Sequence, residues 1–294
     1  ENQSYEPKGF KTFTLFDPKE RQISAPYFRD RVVHRSLHNV LEPVFERRFI
    51  HDTYACRPGK GTHAGVDRLQ SFMRKQDTDY YLKCDIRSYF DSVDHEILIR
   101  EIDRNVSDGE VLWLIERFLE GYSSEEGEGK GMPIGTLYSQ LFANVYLDRF
   151  DHFVKQSLQT SYYVRYMDDF ILLSDSKEQL HTWKEAMQGY LEDELDLDLP
   201  GSKTTLEPAE KGATFLGYRV FPHYRLLRKR NKVKFRRRLE RQKKAVERDR
   251  ISFSELRQSI ESWKGHAEHA DTTNLRQEYL RGLGGDFEFV FYKN

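Results

Sequence analysis

Asp168 and Asp169 stand side by side in YYVRYMDDFILLSD, Tyr162 to Asp175, between two runs of apolar and aromatic residues. Two anions in an apolar setting resist ionising together unless a cation neutralises them. Neighbouring side chains of a straight strand point to opposite faces, so both carboxylates can share one task only at a turn. Pairing of Tyr163–Tyr166 with Phe170–Leu173 predicts a hairpin with both aspartates at its tip. An Asp-Asp turn that merely uses residues turns favour is the plain alternative. A third carboxylate, Asp85, closes the strand-like segment YYLKCDI, Tyr80 to Ile86. Three hard oxygen donors from two strand ends suit Mg²⁺, which keeps room for substrate phosphates.

Around these carboxylates the chain shows strand and helix patterns able to position them. Phe28 to Phe49 carries Val33, Leu37, Val40, Leu41 and Val44 at helical spacing, with arginines between them. RPGKGT, residues 57–62, is a basic glycine-rich loop before a helix through Val66, Leu69 and Phe72. It is not a GxxxxGK phosphate loop, because Tyr54 stands at the position of the first glycine. Ser107 with Glu110, Ser176 with Gln179 and Ser252 with Glu255 have capping-box spacing and predict three helix starts. Residues 122–131 read as a flexible loop, Leu137 to Tyr146 as a helix after the Gly135 turn, and Thr214 to Phe221 as a short strand pair.

The 294 residues are 38% hydrophobic and 14% aromatic, too apolar for a disordered chain despite 32% charged residues. A net charge of −1 conceals an uneven distribution: Arg225 to Arg250 holds fourteen Lys or Arg against three acidic residues. Cys56 and Cys84 are far apart, which indicates neither a disulfide framework nor a zinc site and suits a reducing cytoplasm. No apolar run reaches membrane-spanning length and no signal pattern opens the chain, so no membrane partner is expected. Because the sequence opens on Glu1 rather than Met, a native N-terminal segment is expected to precede it.

YMDD in a hairpin, preceded by DIRSYF, resembles the palm of reverse transcriptases. The resemblance continues in family order through KERQISAPYFRDRVVH (19–34), YACRPGKGTH (54–63), GMPIGTLYSQLFANVYLD (131–148), GSKTTLEP (201–208), FLGYRVF (215–221) and SWKGHAEHADT (262–272). It implies an α+β right-hand polymerase: fingers and palm in 1–225, an antiparallel sheet packed on helices, and a helical thumb in 226–294. Fingers would fall mainly in 1–79 with part of 105–135, and palm in 80–104 and 136–225. Asp85, Asp168 and Asp169 match the family's catalytic, metal-binding aspartates, holding two Mg²⁺ ions, with Mn²⁺ able to substitute. Phe90 matches the aromatic position that rejects a ribose 2′-hydroxyl. Lys19, Arg21 and Lys203 match basic residues around the dNTP triphosphate, and a solvated surface role is the alternative for each. Arg57 and Lys60 would meet template RNA. Arg228, Lys229, Arg230, Lys232 and Lys234 of the basic segment would neutralise phosphates of an RNA/DNA duplex; a solvated charged helix is the alternative.

Ile134 stands where most of the family has glutamine. I-G-x-x-x-S-Q, Ile134 to Gln140, resembles the reverse transcriptases of diversity-generating retroelements. That implies error-prone copying of a template-repeat RNA, with errors at adenines, and a small basic accessory variability protein as partner. Ile134 and Gln140 would then face the nucleotide, unless Gln140 braces its own helix. Alternatives are an antiphage-defence or group II intron-like reverse transcriptase, a catalytically silent RNA-binding scaffold, and a two-carboxylate hydrolase. Against a full intron enzyme stands the end at Asn294 without an endonuclease or large maturase extension.

Overall fold

The computed structural model describes residues 3–16, 20–122, 124 and 127–281. The chain divides into two compact units, one of Glu1–Arg68 with Gln76–Glu207, the other of Leu69–Lys75 with Pro208–Asn294.

The first unit opens on an antiparallel ribbon of β1 (Phe10–Phe16) and β2 (Glu20–Pro26). Helix α1 (Phe28–Glu46) follows, but its buried stripe is Asp30, His34, Leu37, His38, Leu41 and Phe45, while Val40 and Val44 of the expected apolar face are exposed. Polar residues displace them because they find partners or aromatic neighbours inside. Asp30 accepts from the Tyr5 hydroxyl and the Lys8 amide, each at 2.9 Å. His34 is wedged edge-on against Phe118 and Tyr138.

Helix α2 (Thr62–Phe72) leads to β3 (Tyr80–Asp85), then α3 (Tyr89–Ser92), α4 (His95–Asp103) and α5 (Gly109–Glu120). The cap of α5 is Asp108 rather than Ser107: its carboxylate accepts from the Glu110 and Val111 amides at 3.0 and 3.1 Å. A carboxylate at a helix N-terminus also meets the positive end of the helix dipole. The 122–131 segment contains short bridges, Ser124 with Gly127 and Asp94 with Lys130; residues 123, 125 and 126 lie outside the described residues. Helix α6 (Leu137–Tyr146), capped by Thr136, is buried along nearly its whole length, and α7 (Asp148–His152) follows.

Strands β4 (Tyr162–Tyr166) and β5 (Asp169–Ser174) form the expected hairpin. After α8 (Lys177–Leu195), started by the Ser176 hydroxyl accepting from the Gln179 amide, β6 (Thr205–Pro208) completes a sheet of order β4-β5-β3-β6. Leu82 opposes Leu172 and Cys84 opposes Phe170, and this face packs into the core with Phe142, Phe150 and Met187 of the helices. Strand alternation therefore places Lys83, Asp85 and Asp169 on the other face.

In the second unit, β7 (Ala213–Phe215), β8 (Tyr218–Val220) and β9 (Arg225–Leu227) form an antiparallel meander, one strand more than the expected pair. Helices α9 (Lys229–Val246), α10 (Phe253–Ala267) and α11 (Thr273–Arg281) pack around Phe235, whose ring stacks on Trp263 at 4.0 Å. The capping box at Ser252 forms as its spacing predicts, with Glu255 accepting from the Ser252 amide at 2.8 Å. Among the described residues no helix is long and apolar enough to cross a membrane.

Candidate active site

Asp85 ends β3 directly opposite Asp169, the first residue of β5, and Asp169 in turn opposes Tyr166 of β4. The hairpin tip is thus Met167–Asp168, with Asp169 already in the ladder rather than beside Asp168 at the tip. Met167 has φ +55°, a left-handed conformation that non-glycine residues rarely adopt. The Ile86 amide donates to the Asp168 carbonyl at 3.2 Å, tying the turn to the end of β3.

Two ammonium groups engage the carboxylates. Lys203 Nζ donates to Asp85 and, at 3.1 Å, to the Ile86 carbonyl. Lys83 Nζ donates to Asp169 Oδ2 at 2.6 Å. Burial nevertheless pushes the Asp169 carboxyl up to about 6, against the pull of Lys83 and with the Asp168 and Asp85 charges adding to the rise. Asp168 is raised as well, first by burial and then by the charge of Asp85, with Lys203 and Arg21 opposing. Asp168 thus feels the charge of Asp85, Asp169 feels both, and Arg21, itself exposed on β2, reaches the same field.

Asp169 Oδ1 is buried without a hydrogen-bond partner among the described residues. An orphaned carboxylate oxygen beside two further carboxylates fits a hard divalent cation in donor type. Among the described residues no three His, Cys, Asp or Glu side chains stand in an arrangement that holds a metal.

Phe90, half-buried in α3, packs its ring edge-on to Tyr89 at 5.7 Å, and its carbonyl accepts from the Met132 amide at 2.7 Å. The Ile134 carbonyl accepts from the Ser24 amide of β2 at 2.9 Å. The backbone can come this close because Gly135, at φ +112°, has no Cβ, which would lie 2.9 Å from Ile23. Gln140 is half-buried on α6. Lys19 lies outside the described residues.

Arg57, expected to meet template RNA, is held inside its own loop. Its guanidinium, 5% exposed, forks onto Glu46 and donates to the Ile50 carbonyl at 2.6 Å, so it braces its own loop instead of facing solvent. A planar fork with five donors can satisfy several loop carbonyls at once. Lys60 donates to the His51 carbonyl at 2.8 Å and lies over the Tyr54 ring. In the second unit Arg228, Lys229, Arg230 and Lys234 are exposed on or beside the first turns of α9, and Lys232 is half-buried.

Lys83 of the site was not anticipated, nor was the buried network of Arg165, Asp151 and Asn144 behind the hairpin turn. Lys83 was signalled by i, i+2 spacing from Asp85 on one strand face. A lone arginine inside an apolar strand, in YYVRY, was the available signal for Arg165.

Residues 14–220 match the family described as reverse transcriptase (RNA-dependent DNA polymerase). Protein YkfC of Escherichia coli K12 is 27% identical over 257 residues, covering 73% of this chain and 65% of that protein. The group II intron-encoded protein LtrA of Lactococcus lactis subsp. cremoris is 25% identical over 268 residues, covering 69% of this chain and 44% of LtrA. The chain thus spans less than two thirds of either relative's length. In fold it is similar to telomerase from Candida albicans, solved in complex with the TWJ fragment of telomeric RNA, with TM-score 0.58 and 11% identity over 96% of this chain and 60% of that one. With the match running from β1 through β8 and containing all three aspartates, the chain belongs to the reverse transcriptase family.

Proposed function

We propose that the protein is an RNA-directed DNA polymerase of the group II intron-like lineage, joining deoxynucleotides to a primer 3′-hydroxyl along template RNA. The observation that carries this reading is the convergence of Asp85, Asp168 and Asp169 at one end of the four-stranded sheet, with Lys203 on Asp85. Relatives named for group II introns support the lineage.

In this reading Asp85 and Asp168, with Asp169, would hold two Mg²⁺ ions. Bound Mg²⁺ supplies a lowered hydroxyl pKa and neutralises phosphate charge. Lys203, released from Asp85, donates a proton to the leaving pyrophosphate. Arg21 binds the triphosphate, with Lys19 assigned beside it. Phe90 fills the space a ribose 2′-hydroxyl needs, and Ile134 and Gln140 border the nascent pair. Fingers and palm extend to residue 225. The thumb, 226–294, lays Arg228, Lys229, Arg230, Lys232 and Lys234 along the duplex, and Lys60 meets the template.

The test is primer extension on an RNA template with dNTPs and Mg²⁺, comparing the parent with Asp168→Ala; equal activity in both overturns the reading. Phe90→Ala should admit ribonucleotides. A second reading, a diversity-generating enzyme with a small basic accessory protein, is favoured by Ile134 in place of glutamine together with Gln140. Sequencing the cDNA decides: errors concentrated at template adenines support it, and rare, evenly spread errors leave the intron-like assignment.

A further inference from the structure

Arg165 is fully buried, and the reaction above makes no use of it. Its Nε and Nη2 fork onto Asp151, itself out of solvent, with the Nε to Oδ1 contact at 2.8 Å. Its remaining terminal nitrogen, Nη1, donates to the Met167 carbonyl at 3.1 Å and lies 3.3 Å from Asn144 Oδ1. Asp151 also accepts from the Tyr163 hydroxyl at 2.6 Å. Asn144 donates to the Ala55 carbonyl at 2.9 Å. The Arg165 backbone meets the same loop, its amide donating to Asp52 and its carbonyl accepting from Tyr54, both at 3.0 Å.

Met167 is the residue whose backbone is held in the left-handed region, and such conformations persist where the surroundings enforce them. A buried ion pair adds little net stability over well-packed apolar side chains. What apolar packing cannot reproduce is direction: a donor fixed on one carbonyl of the turn.

We infer that Arg165 is a positioning residue for the polymerase reaction: through the Met167 carbonyl it fixes the turn that carries Asp168 and leads into Asp169. Asp151 and Asn144 aim its guanidinium. The inference rests on the polymerase reading for its functional consequence and on the hydrogen bonds alone for its structural one.

The experiment compares the parent with Arg165→Met, the double variant Arg165→Met/Asp151→Leu, and Arg165→Lys. The single Met variant strands Asp151 and should lower the melting temperature. The double variant replaces the pair with apolar volume and should recover that temperature. Its kcat for primer extension should nevertheless fall about ten- to a hundredfold, with KM for dNTP and template affinity within about twofold. Amide exchange at Met167–Phe170 should accelerate while Ile171–Leu173 stays protected. Parent-level kcat in a stable double variant overturns the inference, as does unchanged exchange at the turn. Should the double variant fail to fold, Arg165→Lys decides on the same two readouts, since lysine keeps the charge and loses the fork. A parent that extends no primer overturns the polymerase reading alone, and the exchange measurement still decides whether Arg165 holds the turn.

Discussion

Asp85 and Asp169 oppose one another directly across antiparallel β3 and β5, each carboxylate drawn to a lysine of its own. Like charges placed opposite each other on a sheet are destabilising. The strand pair therefore holds a repulsion that Lys203 and Lys83 offset, and the site is built against its own stability.

Asp168→Asn removes a buried carboxyl whose ionisation both burial and Asp85 oppose. It should raise stability while lowering extension roughly a thousandfold or more. Urea denaturation beside a primer-extension assay reads both, and a destabilised variant would contradict the charge-crowding account.

Lys203→Met should reduce kcat about a hundredfold or more, as expected for loss of the proposed general acid. Lys203 and Asp85 are each about a third exposed, so the stability change should stay below ~1 kcal/mol. Single-turnover extension with the variant measures the first, and a melting curve the second.

Arg57→Ala should cost ~3 kcal/mol, because it strips a nearly buried guanidinium from Glu46 and two loop carbonyls. Template affinity of the folded variant should remain within about twofold. If filter binding instead showed tenfold weaker RNA capture at unchanged melting temperature, Arg57 would be an RNA contact after all.

His34, buried against Phe118 and Tyr138 near Asp30, has its imidazole pulled down to about 4 by that burial. The unfolded chain takes up the proton first as pH falls, so stability from neutral His34 is present above 6.5 and is lost between 6.5 and about 4. Asp148, raised to about 6 by burial and by Asp151, acts in the opposite sense, favouring the fold as pH falls through 6. The difference in denaturation free energy between parent and His34→Leu isolates the histidine, and it should move against the parent across that window.

The hairpin, the strand ending in Asp85 and the capping box at Ser252 were legible because each rests on local rules: strand alternation, turn chemistry and a four-residue spacing. Side-chain choice across distant segments was not. Val40 and Val44 have the spacing of a buried face, yet Asp30 and His34 took the interior because Tyr5, Lys8, Phe118 and Tyr138 receive them there. Arg57 stands in a basic glycine-rich loop in the sequence, and only the fold brings Glu46 to it. Short-range competition shifted the α5 cap by one residue, from Ser107 to Asp108.

Leu69–Lys75 belongs to the second unit although it lies far upstream of Pro208. Within that unit Gln70 donates to the Phe221 carbonyl and accepts from Arg225, and Arg74 donates to the Pro222 carbonyl. Cutting the gene after Glu207 would thus not release two autonomous modules: the upstream fragment would carry Leu69, Phe72 and Met73, buried in the intact protein, as an unclothed apolar tract. A transplantable C-terminal part would have to be engineered from two stretches of chain, which makes recombination at that boundary costly.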